Sequence, residues 1–241
     1  MHTHKRLIGV LGGMGPAATI DFLAKVVSAT PATVDQDHIP LIIHDVPQIP
    51  DRSAAIESGE DTPFLPMLSG VRMLDAAGVE YIAIPCNTAH YWCGRLELGC
   101  RARILHIADA VAAQLGELDR RPGSIAVMAT RGTIAAGIYS QRLNTVMERV
   151  VVPGEPAQQM IDMAIGYVKG GNLIAARNAA THAIGLLATE GSEAVLLACT
   201  ELPVALAGAE LKAAIAIDAT EALARACVKA SLGQFELAKA S

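Results

Sequence analysis

Eight short apolar runs punctuate this chain, at 7–11, 40–44, 81–84, 103–106, 125–128, 150–152, 194–197 and 214–217. Longer Ala-rich segments with helical spacing separate most of them. Runs that are apolar throughout suit strands covered on both faces, and strands alternating with helices build parallel sheets. The pattern therefore predicts an α/β fold. Local punctuation agrees. Thr62-Pro63 suits the start of a helix over 64–77, with Gly78 as its end, and Lys169-Gly170-Gly171 closes a helix begun near Glu155. The segment Arg120-Arg121-Pro122-Gly123 marks a break between two halves.

The halves echo each other. Residues 7–15 read LIGVLGGMG and residues 124–132 read SIAVMATRG, and each opens a series that ends in an apolar run followed by a cysteine. The first cysteine stands in Ile84-Pro85-Cys86-Asn87-Thr88, the second in Ala198-Cys199-Thr200. This duplication predicts two pseudo-symmetric lobes, each a parallel sheet flanked by helices, with the active site in the cleft between them. The expected division is 1–112 plus 207–241 for the first lobe and 113–206 for the second. Open α/β sheets bind ligands beyond the carboxyl ends of their strands. Two facing lobes would set Cys86 and Cys199 on opposite sides of one cleft, each at the start of a helix whose dipole favours a thiolate. An isolated cysteine is ordinarily a small core residue. Two in matching settings argue for paired acid and base work on one small molecule.

Composition narrows the function classes. Of 241 residues 52% are hydrophobic and 18% charged, so disorder is excluded. The net charge of −5, without a basic block, argues against nucleic acid as a partner. No apolar run is long enough to span a membrane, and the start shows no separate signal-peptide core, so a cytoplasmic location is expected. Five cysteines without framework spacing fit a reducing compartment that keeps thiols free. The turn Gly12-Gly13-Met14-Gly15 matches no dinucleotide fingerprint, and no phosphate-loop lysine follows. His90, Cys93, Cys100 and His106 match no common zinc spacing, so no metal site is expected.

Residues 9–19 (GVLGGMGPAAT), 84–90 (IPCNTAH) and 198–203 (ACTELP) resemble the aspartate/glutamate racemase family, and Pro47-Gln48-Ile49-Pro50-Asp51-Arg52 is most similar to its aspartate racemase branch. The resemblance runs over nearly the whole chain. It implies a cofactor-independent racemase, without PLP, in which Cys86 and Cys199 carry a proton off one face of the substrate α-carbon and onto the other. It further implies that Cys86 serves the D enantiomer and Cys199 the L. Arg52 and Lys169 are the implied basic pair for a side-chain carboxylate, and a homodimer is expected. From their positions, Asn87, Thr88 and Thr200 would present donors to the substrate. Thr130 and Thr133 would do so from the second lobe, and Met14 lies in the turn that floors the cleft. Ordinary helix capping explains the same Asn and Thr residues, and both roles can hold together. His90 and Glu201 follow the cysteines and are open to tuning or orienting them. Glutamate, hydantoin and broad-specificity amino-acid racemases and maleate isomerase stay open as alternatives, as does a non-catalytic binding protein for small acids.

Overall fold

The computed structural model describes residues 5–209 and 215–234. Its strands are β1 (Ile8–Gly12), β2 (Leu41–Asp45), β3 (Tyr81–Ala83), β4 (Arg103–Leu105), β5 (Ser124–Ala129), β6 (Arg149–Val151), β7 (Ala194–Ala198) and β8 (Ile215–Asp218). Each predicted run is a strand to within one residue at either end, residue 214 lying outside the described residues. Two four-stranded sheets result, ordered β2-β1-β3-β4 and β6-β5-β7-β8, and every pairing is parallel. The second order repeats the first with every strand advanced by four, so the duplication legible in the sequence is a duplication of topology. The central strands β1, β3, β5 and β7 are buried along their whole length, as expected where helices cover both faces.

Three apolar clusters hold the layers. One packs the outer face of the first sheet under helix Phe64–Ala76, through Leu11, Met67, Leu74, Ile82 and Trp92. Another packs the outer face of the second sheet under helices Glu155–Lys169 and Leu173–Thr189, through Met128, Ile161, Ala180 and Leu197. The third joins the inner faces of both sheets, bringing Ile8, Val10 and Phe22 together with Ile125, Val127, Leu196 and Leu223.

The final described helix, Ala219–Ser231, is central to that shared core: ten of its 13 residues are buried. It packs on helices Pro16–Ala29 and Ile107–Gly116 of the first lobe. The tail was expected in the first lobe from residue 207 onward. Among its described residues, β8 pairs with β7 as an outer strand of the second sheet, and the helix after it packs on the first lobe. Ladder hydrogen bonds to the exposed edge of β7 hold β8 there, whereas the helix is placed by apolar burial. Asp218 fixes the junction. It accepts the Thr220 and Glu221 amides at 2.8 and 3.2 Å and pairs with Lys25 of the first lobe at 2.6 Å. Among the described residues no helix is long and apolar enough to cross a membrane.

Candidate active site

In each sheet the chain leaves its first strand toward one side and its third strand toward the other, so the loops after those two strands diverge and leave a crevice. In the first lobe these are the loops after β1 and β3, carrying Met14 and Cys86. In the second they follow β5 and β7, carrying Thr130 and Cys199. The two crevices face each other.

Backbone chemistry shapes each loop. Gly13 has φ of +91°, and a Cβ there would lie 2.3 Å from the Val46 carbonyl carbon, so only glycine turns the chain this close to the loop after β2. Its amide donates to Thr19 Oγ1 at 2.9 Å, tying the turn to the first helix. The Cys86 amide donates to Ile84 O at 2.7 Å, and a 3-10 helix follows over Thr88–Trp92. Thr130 caps helix Arg131–Ala135 by accepting the Thr133 amide at 3.3 Å.

The loops meet around a cavity of about 30 Å³ lined by Met14, Asp51, Arg52, Ser53, Cys86, Asn87, Thr88, Thr130, Lys169, Cys199, Thr200 and Glu201. Nine of the ten residues singled out in the sequence line it. The tenth, Thr133, stands one bond behind, its hydroxyl 2.8 Å from Thr88 Oγ1 and 3.1 Å from Thr130 Oγ1. Thr88 and Thr130 are themselves 3.1 Å apart, and Ser53 Oγ donates to Thr130 Oγ1 at 2.9 Å. A chain of four hydroxyls therefore bridges the lobes. Gly132 makes the approach possible, since a Cβ on it would come within 2.6 Å of Ser53 Cα.

Two hydrogen-bond donors in the cavity wall have no acceptor among the described residues. Asn87 Oδ1 takes the proton of the Tyr139 hydroxyl, leaving the buried Nδ2 without a partner. The Arg52 guanidinium clamps three carbonyls: Nη1 donates to Ile49 O at 3.0 Å and Pro50 O at 2.9 Å, and Nη2 to Met14 O at 3.3 Å. Its Nε is buried without a partner. Buried unpaired donors are rare in folded proteins, so two in one small cavity mark a place built for an acceptor.

The cysteines differ in surroundings. Cys199 Sγ donates to Glu201 Oε2 at 3.0 Å, and Thr200 Oγ1 donates to the same oxygen at 3.0 Å. Burial first, and then the Glu201 charge, push the Cys199 thiol well above its ordinary range. The expectation that a helix start would favour a thiolate is thus reversed at Cys199. Its helix, Glu201–Ala205, has only five residues, and burial beside a carboxylate outweighs so short a dipole. His90 turns away from the cavity, its Nε2 3.1 Å from Ile84 O. Tyr139, Asp51 and Ser53 join the site without having been singled out. Ser53 and Asp51 flank Arg52 and were within reach of the same motif. Tyr139 stands 52 positions from Asn87 and had no local signal.

The family model described as Asp/Glu/Hydantoin racemase matches residues 11–227. The Picrophilus torridus aspartate racemase structure is 31% identical, with a TM-score of 0.82 over 95% of this chain and 94% of that one. The broad specificity amino-acid racemase RacX of Bacillus subtilis (strain 168) is 26% identical over 94% of this chain and 98% of its own length. An aspartate racemase homologue from Pyrococcus horikoshii OT3, 23% identical, shares the fold with a TM-score of 0.74 over 94% of this chain and 99% of that one.

Proposed function

The chain belongs to the Asp/Glu/hydantoin racemase family, and from that premise we propose that it interconverts L- and D-aspartate without PLP or any other cofactor, by two-base proton transfer between Cys86 and Cys199. The observation that carries the reading is the presence of both thiols in the wall of one cavity, together with buried donors that lack acceptors.

In this mechanism one sulfur removes the α-hydrogen and the other returns a proton to the opposite face, so one must begin as thiolate and the other as thiol. Cys199 begins as the thiol, its proton held toward Glu201. The enantiomer whose α-hydrogen faces Cys86, the D form by family resemblance, then finds its acid ready. For the reverse direction Glu201 is the group placed to draw the proton from Cys199. Negative charge developing at the α-carbon spreads into the α-carboxylate, where Asn87 Nδ2 and the Thr88 hydroxyl supply donors and the Thr200 hydroxyl joins them by turning its one hydrogen from Glu201. Arg52 Nε and the exposed Lys169 ammonium take the side-chain carboxylate.

The cavity holds no more than a water or two, so aspartate enters by separation of the lobes and the hydroxyl bridge closes over it. Three carbonyls take three of the four Nη hydrogens of Arg52, so Nε and one Nη2 hydrogen are left to meet a side-chain carboxylate. In this reading the protein works as a homodimer in the cytoplasm.

Pure enantiomers of aspartate, glutamate and neutral amino acids, incubated with the purified protein alone and analysed by chiral chromatography, test the proposal. Conversion of both aspartate enantiomers, with deuterium uptake at the α-carbon in heavy water, is the expected result. No exchange with any enantiomer would leave a non-catalytic binding protein.

A further inference from the structure

Behind the loop that carries Cys86 lies a second, larger cavity of about 720 Å³, which also borders both lobes. His90, Cys93 and His106 share its wall with Glu97, Asp109 and Arg142. Among the described residues these first three form the single group of His, Cys, Asp and Glu side chains whose ligand atoms lie within 4.8 Å of one another. Their spacing in sequence matched no common zinc pattern. The fold unites them because His90 and Cys93 fall on successive turns after β3 while His106 directly follows the neighbouring strand β4. Cys100, considered with them from sequence, is not in the group. Its Sγ donates to Ala102 O at 3.2 Å.

The hydrogen bonds around these side chains point to a cation. His90 Nε2 lies 3.1 Å from Ile84 O, and a carbonyl only accepts, so Nε2 carries the proton and Nδ1 is a bare lone pair. That Nδ1 is buried and has no partner among the described residues. An imidazole anchored by one nitrogen on a backbone carbonyl, with the other nitrogen free, is the arrangement that orients histidine ligands on metals. Cys93 is buried alongside, and His106 is partly buried with its ring centroid 4.6 Å from that of His90.

We propose that His90 Nδ1, Cys93 Sγ and His106 Nε2 bind a thiophilic divalent transition metal, zinc foremost, with the cavity supplying a fourth, exchangeable ligand. One ligand atom from each of the three side chains lies within 4.8 Å of the other two, so the cluster is close to the span that a tetrahedral zinc site needs. The donor set of two imidazoles and a thiolate excludes magnesium and calcium. Glu97 and Asp109 add negative potential, offset in part by Arg142, which pairs with Asp109 at 2.7 Å.

The protons balance. Binding releases the Cys93 thiol proton to solvent. His106 Nδ1 accepts the Ala108 amide at 3.2 Å, so its proton sits on Nε2. Ligation moves that proton to Nδ1 and forfeits the bond to Ala108. The metal must repay that loss, which again selects an ion with strong affinity for imidazole and thiolate. The site is independent of the proposed racemase chemistry and uses neither of its thiols.

Cobalt(II) titration of the full-length, chelator-treated protein tests it, with zinc as competitor. One equivalent of cobalt should produce a thiolate-to-metal charge-transfer band that zinc abolishes. The band should persist in the Cys86→Ser, Cys199→Ser double variant and vanish in Cys93→Ser. In His106→Gln, checked for native circular dichroism, affinity should fall at least tenfold. Absence of the band, its loss in the double variant with retention in Cys93→Ser, or unchanged affinity in His106→Gln would each overturn the proposal.

Discussion

Tyr139, in the second lobe, donates its hydroxyl proton to the side-chain carbonyl of Asn87, the residue beside Cys86 in the first. Both side chains are buried. The bond fixes which way the Asn87 amide faces and so where its free Nδ2 can act. Tyr139→Phe should lower kcat/KM for aspartate about ten- to a hundredfold, since small misplacements of a binding group are costly. It should also destabilise the fold by about 1–3 kcal/mol, the cost of a buried acceptor left without its donor. Steady-state kinetics and denaturant titration measure the two effects separately.

Replacing either Cys86 or Cys199 by serine should reduce racemisation of aspartate by about a thousandfold or more, because a hydroxyl cannot exchange a proton with a weak carbon acid as a thiol does. The double variant should show no activity. Racemisation by a double variant with native circular dichroism would end the two-thiol mechanism.

Glu201→Gln tests the asymmetry between the thiols. The Glu201 charge helps to hold the Cys199 thiol above its ordinary range. Removing that charge should lower the Cys199 pKa, so the sign of the effect is a faster alkylation of Cys199 at a fixed pH near 8. The rate is to be followed in a Cys86→Ser background by mass spectrometry of the labelled peptide.

Arg52→Lys should not rescue Arg52→Ala. An ammonium cannot span the carbonyls of Ile49, Pro50 and Met14 that the guanidinium holds together. Both variants should lose about a hundredfold or more in kcat/KM for aspartate, with circular dichroism unchanged. Full activity in Arg52→Lys would remove the clamp from the mechanism.

Gly132→Ala should impair closure. The added Cβ would lie 2.6 Å from Ser53 Cα, a backbone atom that cannot swing aside. The lobes would be wedged apart and the Ser53–Thr130 bond broken. A rise of about tenfold or more in KM is expected, with little change in melting temperature, because the strain relaxes by opening and not by unfolding.

The fold was legible because its four central strands are buried along their whole length and so read as unbroken apolar runs. The duplicated cysteine settings exposed the site because loops after corresponding strands share local chemistry. What escaped reading depended on distance in sequence. Tyr139 meets Asn87 only through lobe packing, and His106 meets His90 only through the pairing of β3 with β4. The Cys199 environment was read with the wrong sign: helix position is visible in sequence, but burial beside Glu201 is not. β8 was found as a strand, yet its partner sheet depends on pairing that no local pattern encodes.

The buried helix Ala219–Ser231 has a consequence for how this molecule can be dissected. Its side chains complete the inner faces of both sheets, and Asp218 at its start is tied to Lys25 near the opposite end of the chain. Neither half owns a finished interior. Expressed separately, each would present a wide apolar face to water and aggregate, so the duplication visible in the topology does not yield two autonomous folding units.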